Sequence, residues 1–224
     1  MQRRNRIYDI ITLIIIISLL VAFPISLWEK NWLNTLTILL TLILIFVVWS
    51  LQKKYQFKLP VELQLILILF IYAGVFLGGA QNFYYRFWWF DSLLHAISGL
   101  GLGFIGFLIP YSFYRVGKLK AGFFFIALFG FCFAVTLGVV WEIFEFQMDQ
   151  FFGLNMQKAN NLEAVYGYFN TRLGVIDTMH DLILDSIGAF IASIAGYIYL
   201  RKGEFFIFDR LVKRIERYNP YFFD

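Results

Sequence analysis

The sequence predicts an all-α fold: a polytopic membrane helical bundle of six transmembrane helices, plus a C-terminal interfacial amphipathic helix. Three observations carry this. Hydrophobic residues make up 60% of the 224-residue chain and charged residues only 15%, an apolar excess too large for a soluble domain. Six apolar stretches each reach the roughly 20 residues that a helix needs to cross about 30 Å of hydrocarbon. These runs are continuous, whereas a transmembrane barrel would show short alternating segments.

The first stretch, residues 7–28, follows Arg3, Arg4 and Arg6, which resemble the basic start of a signal peptide. It is too long for a signal core and has no small-x-small cleavage site before Trp28, so it reads as an uncleaved first span. The remaining spans are expected at 33–51, 60–80, 89–110, 121–150 and 177–200. Most connections are short, which favours antiparallel neighbours. The exception is 151–176, an Asn-rich segment containing Gly153, Gly167 and Gly174, whose length suits a lid or binding loop. The run from Phe83 to Phe90 suits an aromatic belt at a membrane–water boundary, with a substrate platform as the lesser alternative.

After the last span, Phe205, Phe208, Leu211, Val212 and Ile215 alternate with Arg210, Lys213, Arg214 and Arg217. A helix there would lie in the inner interface with its basic face toward lipid headgroups. No internal boundary, repeat or low-complexity tract is visible. The expected organisation is one membrane domain over 1–204 and a cytoplasmic tail over 205–224.

Basic residues orient the chain. Of the 19 Lys and Arg, only Lys30, Arg86, Lys158 and Arg172 fall on the side opposite the termini. The positive-inside rule then makes both termini cytoplasmic; the expected location is the cell's inner membrane. The net charge of +4 reports topology and contact with anionic membrane lipid rather than nucleic-acid binding. The single Cys132 excludes an intramolecular disulfide, and no motif speaks to oligomeric state.

Two motifs invite a functional reading. Gly101-x-Gly103-x-x-Gly106 matches the dinucleotide fingerprint, but that fingerprint requires a strand before it and this one lies inside a span. Close helix packing through Gly99-x-x-x-Gly103 and Gly74-x-x-x-Gly78 is the better account. The second is a set of ionisable groups: Asp91 and His95; Glu142, Glu145 and Asp149; Asp177, His180, Asp181 and Asp185. Each such group at membrane depth costs roughly 2.5–3.5 kcal/mol and marks a functional site by default.

Topology brings these groups to one leaflet, the extracytoplasmic one. Asp91 and His95 share a helix face at i, i+4; Glu142, Glu145 and Asp149 form one stripe; Asp177, Asp181 and Asp185 step by four. The cations on that side are too few to balance seven ionised carboxylates. Such a site either keeps protons or recruits a cation. An oxygen-rich set with two imidazoles and no thiolate suits a divalent Mg, Mn, Fe or Zn ion. Expected ligands are Asp91, His95, Glu142, Glu145, Asp177, Asp181 and Asp185. Catalytic roles fall to His95, His180 and Glu142. Acids near helix ends can instead cap backbone amides, above all Asp149 and Asp177.

The pattern Phe90-Asp91-x-x-x-His95, Trp141-Glu142-x-x-Glu145 and Asp177-Thr178-x-x-Asp181-x-x-x-Asp185-x-x-Gly188-Ala189 resembles the bacterial inner-membrane family typified by YjdF. A looser likeness extends to VanZ-like membrane proteins. The resemblance covers residues 60–200 and implies a polytopic helical membrane protein without an established reaction. Its motif positions are Asp91, His95, Glu142, Glu145, Asp177 and Asp181.

Three functions compete. The first is a metal-dependent enzyme acting on a lipid or lipid-linked envelope substrate. The second is a proton- or cation-coupled transporter, and the third a non-catalytic membrane scaffold or envelope sensor.

Overall fold

Six helices long and apolar enough to cross a membrane follow one another in the computed structural model, which describes residues 6–158, 173–203 and 206–223. They are α1 (Arg6–Trp28), α2 (Trp32–Lys54), α3 (Val61–Ala80), α5 (Phe90–Arg115), α6 (Phe123–Phe152) and α7 (Leu173–Lys202). The short α4 (Phe83–Arg86) precedes α5, and α8 (Phe206–Tyr218) follows α7. No strand occurs among the described residues. The six spans expected from hydropathy are all present, with ends that differ by at most a few residues. Most of the long segment expected at 151–176, and Phe205, lie outside the described residues.

Local chemistry sets the helix ends. Asn31 accepts the Asn34 N–H at 3.1 Å and so starts α2. Pro60, which cannot continue a preceding helix, stands at the start of α3. Gly153 adopts a left-handed φ of 62° and ends α6, its N–H bonded to the Asp149 carbonyl. The second half of α3, Tyr72–Ala80, is wound as a π-helix, an uncommon form in so long a run.

Contacts divide the chain into two compact units, one holding the helices up to Asp91 with Lys213–Tyr221, the other Ser92–Val212. In the first, Ile15, Leu19, Ile38, Ile68, Phe76 and Ala80 form the core. Ser18 Oγ and Tyr72 Oη meet at 3.0 Å, so polar groups in these apolar helices satisfy one another. Outward-facing Ile10, Leu13, Ile14 and Leu20 of α1 stay more than half exposed, as lipid-covered side chains should. At its other edge, Asn219 Oδ1 accepts the Lys58 N–H at 2.6 Å while Nδ2 donates to the Lys58 carbonyl at 2.9 Å. Arg214 forms an ion pair with Glu62, which holds the guanidinium above its ordinary pKa.

The second unit carries His95 and the acids of α6 and α7. Here α5 and α7 cross at small residues. A Cβ on Gly99 would strike the Asp185 carbonyl, and one on Gly188 would strike the Ala96 carbonyl. Gly103 faces Ala189 and Ala192, and Gly106 faces Gly130 and Phe133 of α6, whereas Gly101 faces open space. The glycine run therefore serves close packing, as the packing account expects and a phosphate loop does not. Toward the C-terminal end of α5 the interior is aromatic: Phe107 is fully buried and its ring lies 5.2–5.3 Å from those of Tyr111 and Phe208. Within α8 itself Val212 and Ile215 are also fully buried. An apolar face free to sink into lipid was the expectation for this helix. Those two residues are instead buried by protein, and the exposed Arg210, Lys213 and Arg217 make up its outer side.

Candidate functional site

His95 is the hub of the polar cluster. One turn into α5, its ring is 7% exposed and stands between helices α6 and α7. Nδ1 lies 3.2 Å from Asp185 Oδ2. On the other edge of the ring, Nε2 lies 3.8 Å from Asp181 Oδ2 and 3.9 Å from Glu142 Oε1. Both carboxylates are almost wholly buried, at 2% and 3% exposure. The helical stripes read from the sequence thus converge on one imidazole.

Donor atoms of Asp91, His95 and Asp181 all lie within 4.8 Å of one another, and all three residues are buried. Asp91 belongs to the first turn of α5, where the helix macrodipole favours a negative charge, and His95 follows it one turn later on the same face. Two donors on a four-coordinate ion held at 2.0–2.1 Å stand about 3.4 Å apart. The Nε2 contacts at 3.8 and 3.9 Å are too long for good hydrogen bonds but need to close only slightly to share an ion. The donor set therefore fits a small divalent cation: one imidazole nitrogen with carboxylate oxygens.

Other expected site residues are placed differently. Glu145 is buried one turn along α6, where it accepts the Trp141 indole N–H at 2.8 Å. Asp185 has both oxygens engaged on the α5 side, one facing His95 Nδ1 and the other accepting from Ser98 Oγ at 2.5 Å. Asp177 pairs with Lys158 at 3.3 Å near the helix start rather than joining the triad. Asp149 accepts the N–H groups of Met156 at 2.7 Å and Gln157 at 3.0 Å, so it organises the turn after α6. Asp149 thus serves backbone amides at a helix end, whereas Asp177 is held by a side-chain partner.

His180 stands apart. It is exposed, because successive helical residues are turned by about 100° and Asp181 occupies the inward position beside it. The expectation that His180 is a second imidazole of the cluster is corrected on this ground.

Two contributors escaped the sequence reading. Ser98 sits three residues beyond His95 on the same face of α5, a spacing that could have drawn attention to it. Gly138 lies four residues before Glu142 on the polar stripe of α6, and a Cβ there would come within 2.7 Å of Asp185 Oδ2. A glycine on a polar stripe is the signal for a carboxylate that needs the space.

The family whose description reads "Predicted membrane protein (DUF2238)" matches residues 10–202. This chain belongs to that family. The resemblance to the YjdF-type group is thereby borne out. An uncharacterized protein of Thermotoga maritima is 31% identical over 147 residues, covering 62% of this chain and 65% of that relative. The match thus spans just under two thirds of the relative's length. No solved structure matches. The family is one of membrane proteins, and within this member three of its helices enclose an acidic cluster around a single histidine.

Proposed function

We propose that this protein is a metal-dependent membrane enzyme acting on a lipid or lipid-linked envelope substrate. The observation that supports it best is the arrangement around His95: Nδ1 tied to one carboxylate, and Nε2 facing two more at a spacing suited to a shared cation. Asp91, His95 and Asp181 would hold the ion. When bound, it would supply a Lewis acid for a phosphoryl or carbonyl oxygen, or a water of lowered pKa. Glu142, beside the same Nε2, is the group to carry a proton between that water and a leaving oxygen. Asp91 lies two residues after Trp89 at the start of a span, which supports a site near headgroup depth rather than among acyl chains. Loop charge supports an extracytoplasmic position in the inner membrane, with both termini cytoplasmic. The basic outer side of α8 then faces anionic headgroups of the opposite leaflet.

Purified full-length protein should contain close to one divalent ion per chain by elemental analysis. In vesicles of phosphatidylglycerol and phosphatidylethanolamine, with and without a polyprenyl phosphate ester, mass spectrometry should detect divalent-dependent conversion that Glu142→Gln and Asp181→Asn remove. Absence of stoichiometric metal, together with no effect of either variant, would sink the enzyme reading.

One observation favours a transporter: His95 is within ion-pairing range of three carboxylates and could hold a proton among them. A transport path also needs polar groups deeper along the helices. There, the buried residues of the second unit are mainly Phe104, Phe107, Ile126, Ala127, Ala189 and Ala192. Ser193 is buried as well, but its hydroxyl is bonded to the Ala127 carbonyl. Cation flux into liposomes, abolished by Glu145→Gln, would establish transport instead.

A further inference from the structure

We infer that Asp185 is a positioning residue rather than a ligand: with Ser98 it sets the tautomer of His95 so that Nε2 is the atom offered to the ion. This rests on the metal reading above and deepens it. An ionised carboxylate only accepts hydrogen bonds, so with Asp185 ionised the 3.2 Å approach of His95 Nδ1 to Asp185 Oδ2 puts the ring proton on Nδ1. The lone pair is then on Nε2, the edge that faces Asp181 and Glu142. Metal-bound histidines characteristically give their other N–H to a carboxylate, which fixes ring orientation and raises ligand basicity.

The seat of Asp185 is built from several directions. Ser98 Oγ lies 2.5 Å from Oδ1, a charge-assisted contact, and 2.8 Å from the His95 carbonyl, so its one proton serves two acceptors. Gly138 of α6 leaves the space that Oδ2 occupies. Gly99 of α5 lets the backbone of α7 approach at Asp185 itself. The mutually close donor atoms belong to Asp91, His95 and Asp181, whereas both oxygens of Asp185 turn to the Nδ1 side of the ring. Asp181 and Asp185 therefore divide the work on one helix, one turn apart: the first faces the ion, the second faces the ligand that holds it.

The test uses full-length protein in detergent, with Zn²⁺ and Mn²⁺ as probes and ¹⁵N-histidine labelling for the tautomer. His95 is assigned by comparison with His95→Gln. Asp185→Ala should weaken metal binding by roughly 10- to 100-fold while leaving the stoichiometry intact. Asp185→Asn, whose amide oxygen can still accept from Nδ1–H, should recover much of that loss, and Ser98→Ala should cost only several-fold. Asp181→Asn should remove stoichiometric binding. In the metal-free state, the Nδ1–H signal of His95 should dominate in wild type and give way to Nε2–H in Asp185→Ala.

Equal loss in Asp185→Asn and Asp181→Asn would make Asp185 a ligand and overturn the inference. Unchanged affinity and tautomer in Asp185→Ala would overturn it as well. If wild type takes up neither metal, the metal reading fails. The tautomer comparison then still decides the role of Asp185. Should Asp185→Ala not fold, Asp185→Asn and Ser98→Ala carry the same comparison.

Discussion

The two ends of the helices α5, α6 and α7 solve opposite packing problems. At one end, near Asp91 and Asp181, buried carboxylates crowd a single imidazole. At the other, Phe107 fills an interior shaped by Tyr111, Tyr199, Phe208 and Gly196, where a Cβ would strike its ring. Aromatic packing fills this end, where Tyr111 Oη and Tyr199 Oη also meet at 3.3 Å. The charged end is held by specific partners: Ser98 on Asp185, Trp141 on Glu145 and Lys158 on Asp177. The difference teaches that polarity on these helices is concentrated rather than scattered. The apolar end packs aromatic and small side chains, while the other end carries the buried charge.

That division can be broken most forcefully at Phe107. Phe107→Ala should cost about 3–5 kcal/mol in detergent unfolding, because it leaves a cavity in a closely packed interior. Metal affinity of the folded fraction should be unchanged. A large loss of affinity would mean that the two ends are coupled rather than divided.

A smaller effect sharpens the comparison at the helix crossing. Gly188→Val should destabilise by about 1–3 kcal/mol, since the added carbons meet the Ala96 carbonyl. Gly101→Ala, facing open space, should stay within about 0.5 kcal/mol of wild type in the same assay. Similar losses at both positions would undo the account of the glycine run as a packing device.

The smallest expected effect is at His180. His180→Gln should leave metal stoichiometry and affinity as they are, whereas His95→Gln should abolish stoichiometric binding. Loss at His180 would bring a second imidazole into the site and reopen the ligand set.

Much of the fold was legible because a membrane tests every residue for polarity: six apolar runs could only be spans, and six spans are present. The polar stripes were legible for the same reason, since the i, i+3 and i, i+4 spacing that puts Asp181 and Asp185 on one face is a property of any helix. Asp149 was identifiable as a residue serving backbone amides at a helix end, but the Lys158 partner of Asp177 was not. What periodicity could not settle was the neighbour. Gly99 and Gly103 announced a close crossing, but only the tertiary arrangement assigns α7 as the helix that uses it. Likewise Asp185 and Asp181 look equivalent along the sequence, and Ser98 is what separates them. The amphipathic pattern of α8 was plain, yet an apolar face reads the same whether lipid or protein will cover it. His180 was misjudged because it adjoins the right residue on the wrong face.

X-ray absorption at the metal edge of the zinc-loaded, full-length protein reads directly whether His95 and the carboxylates around it hold an ion. One imidazole nitrogen and otherwise oxygen donors are expected at about 2.0–2.2 Å, with the nitrogen scattering lost in His95→Gln. A first shell containing sulfur or two imidazoles, or a spectrum that His95→Gln leaves unaltered, would contradict it.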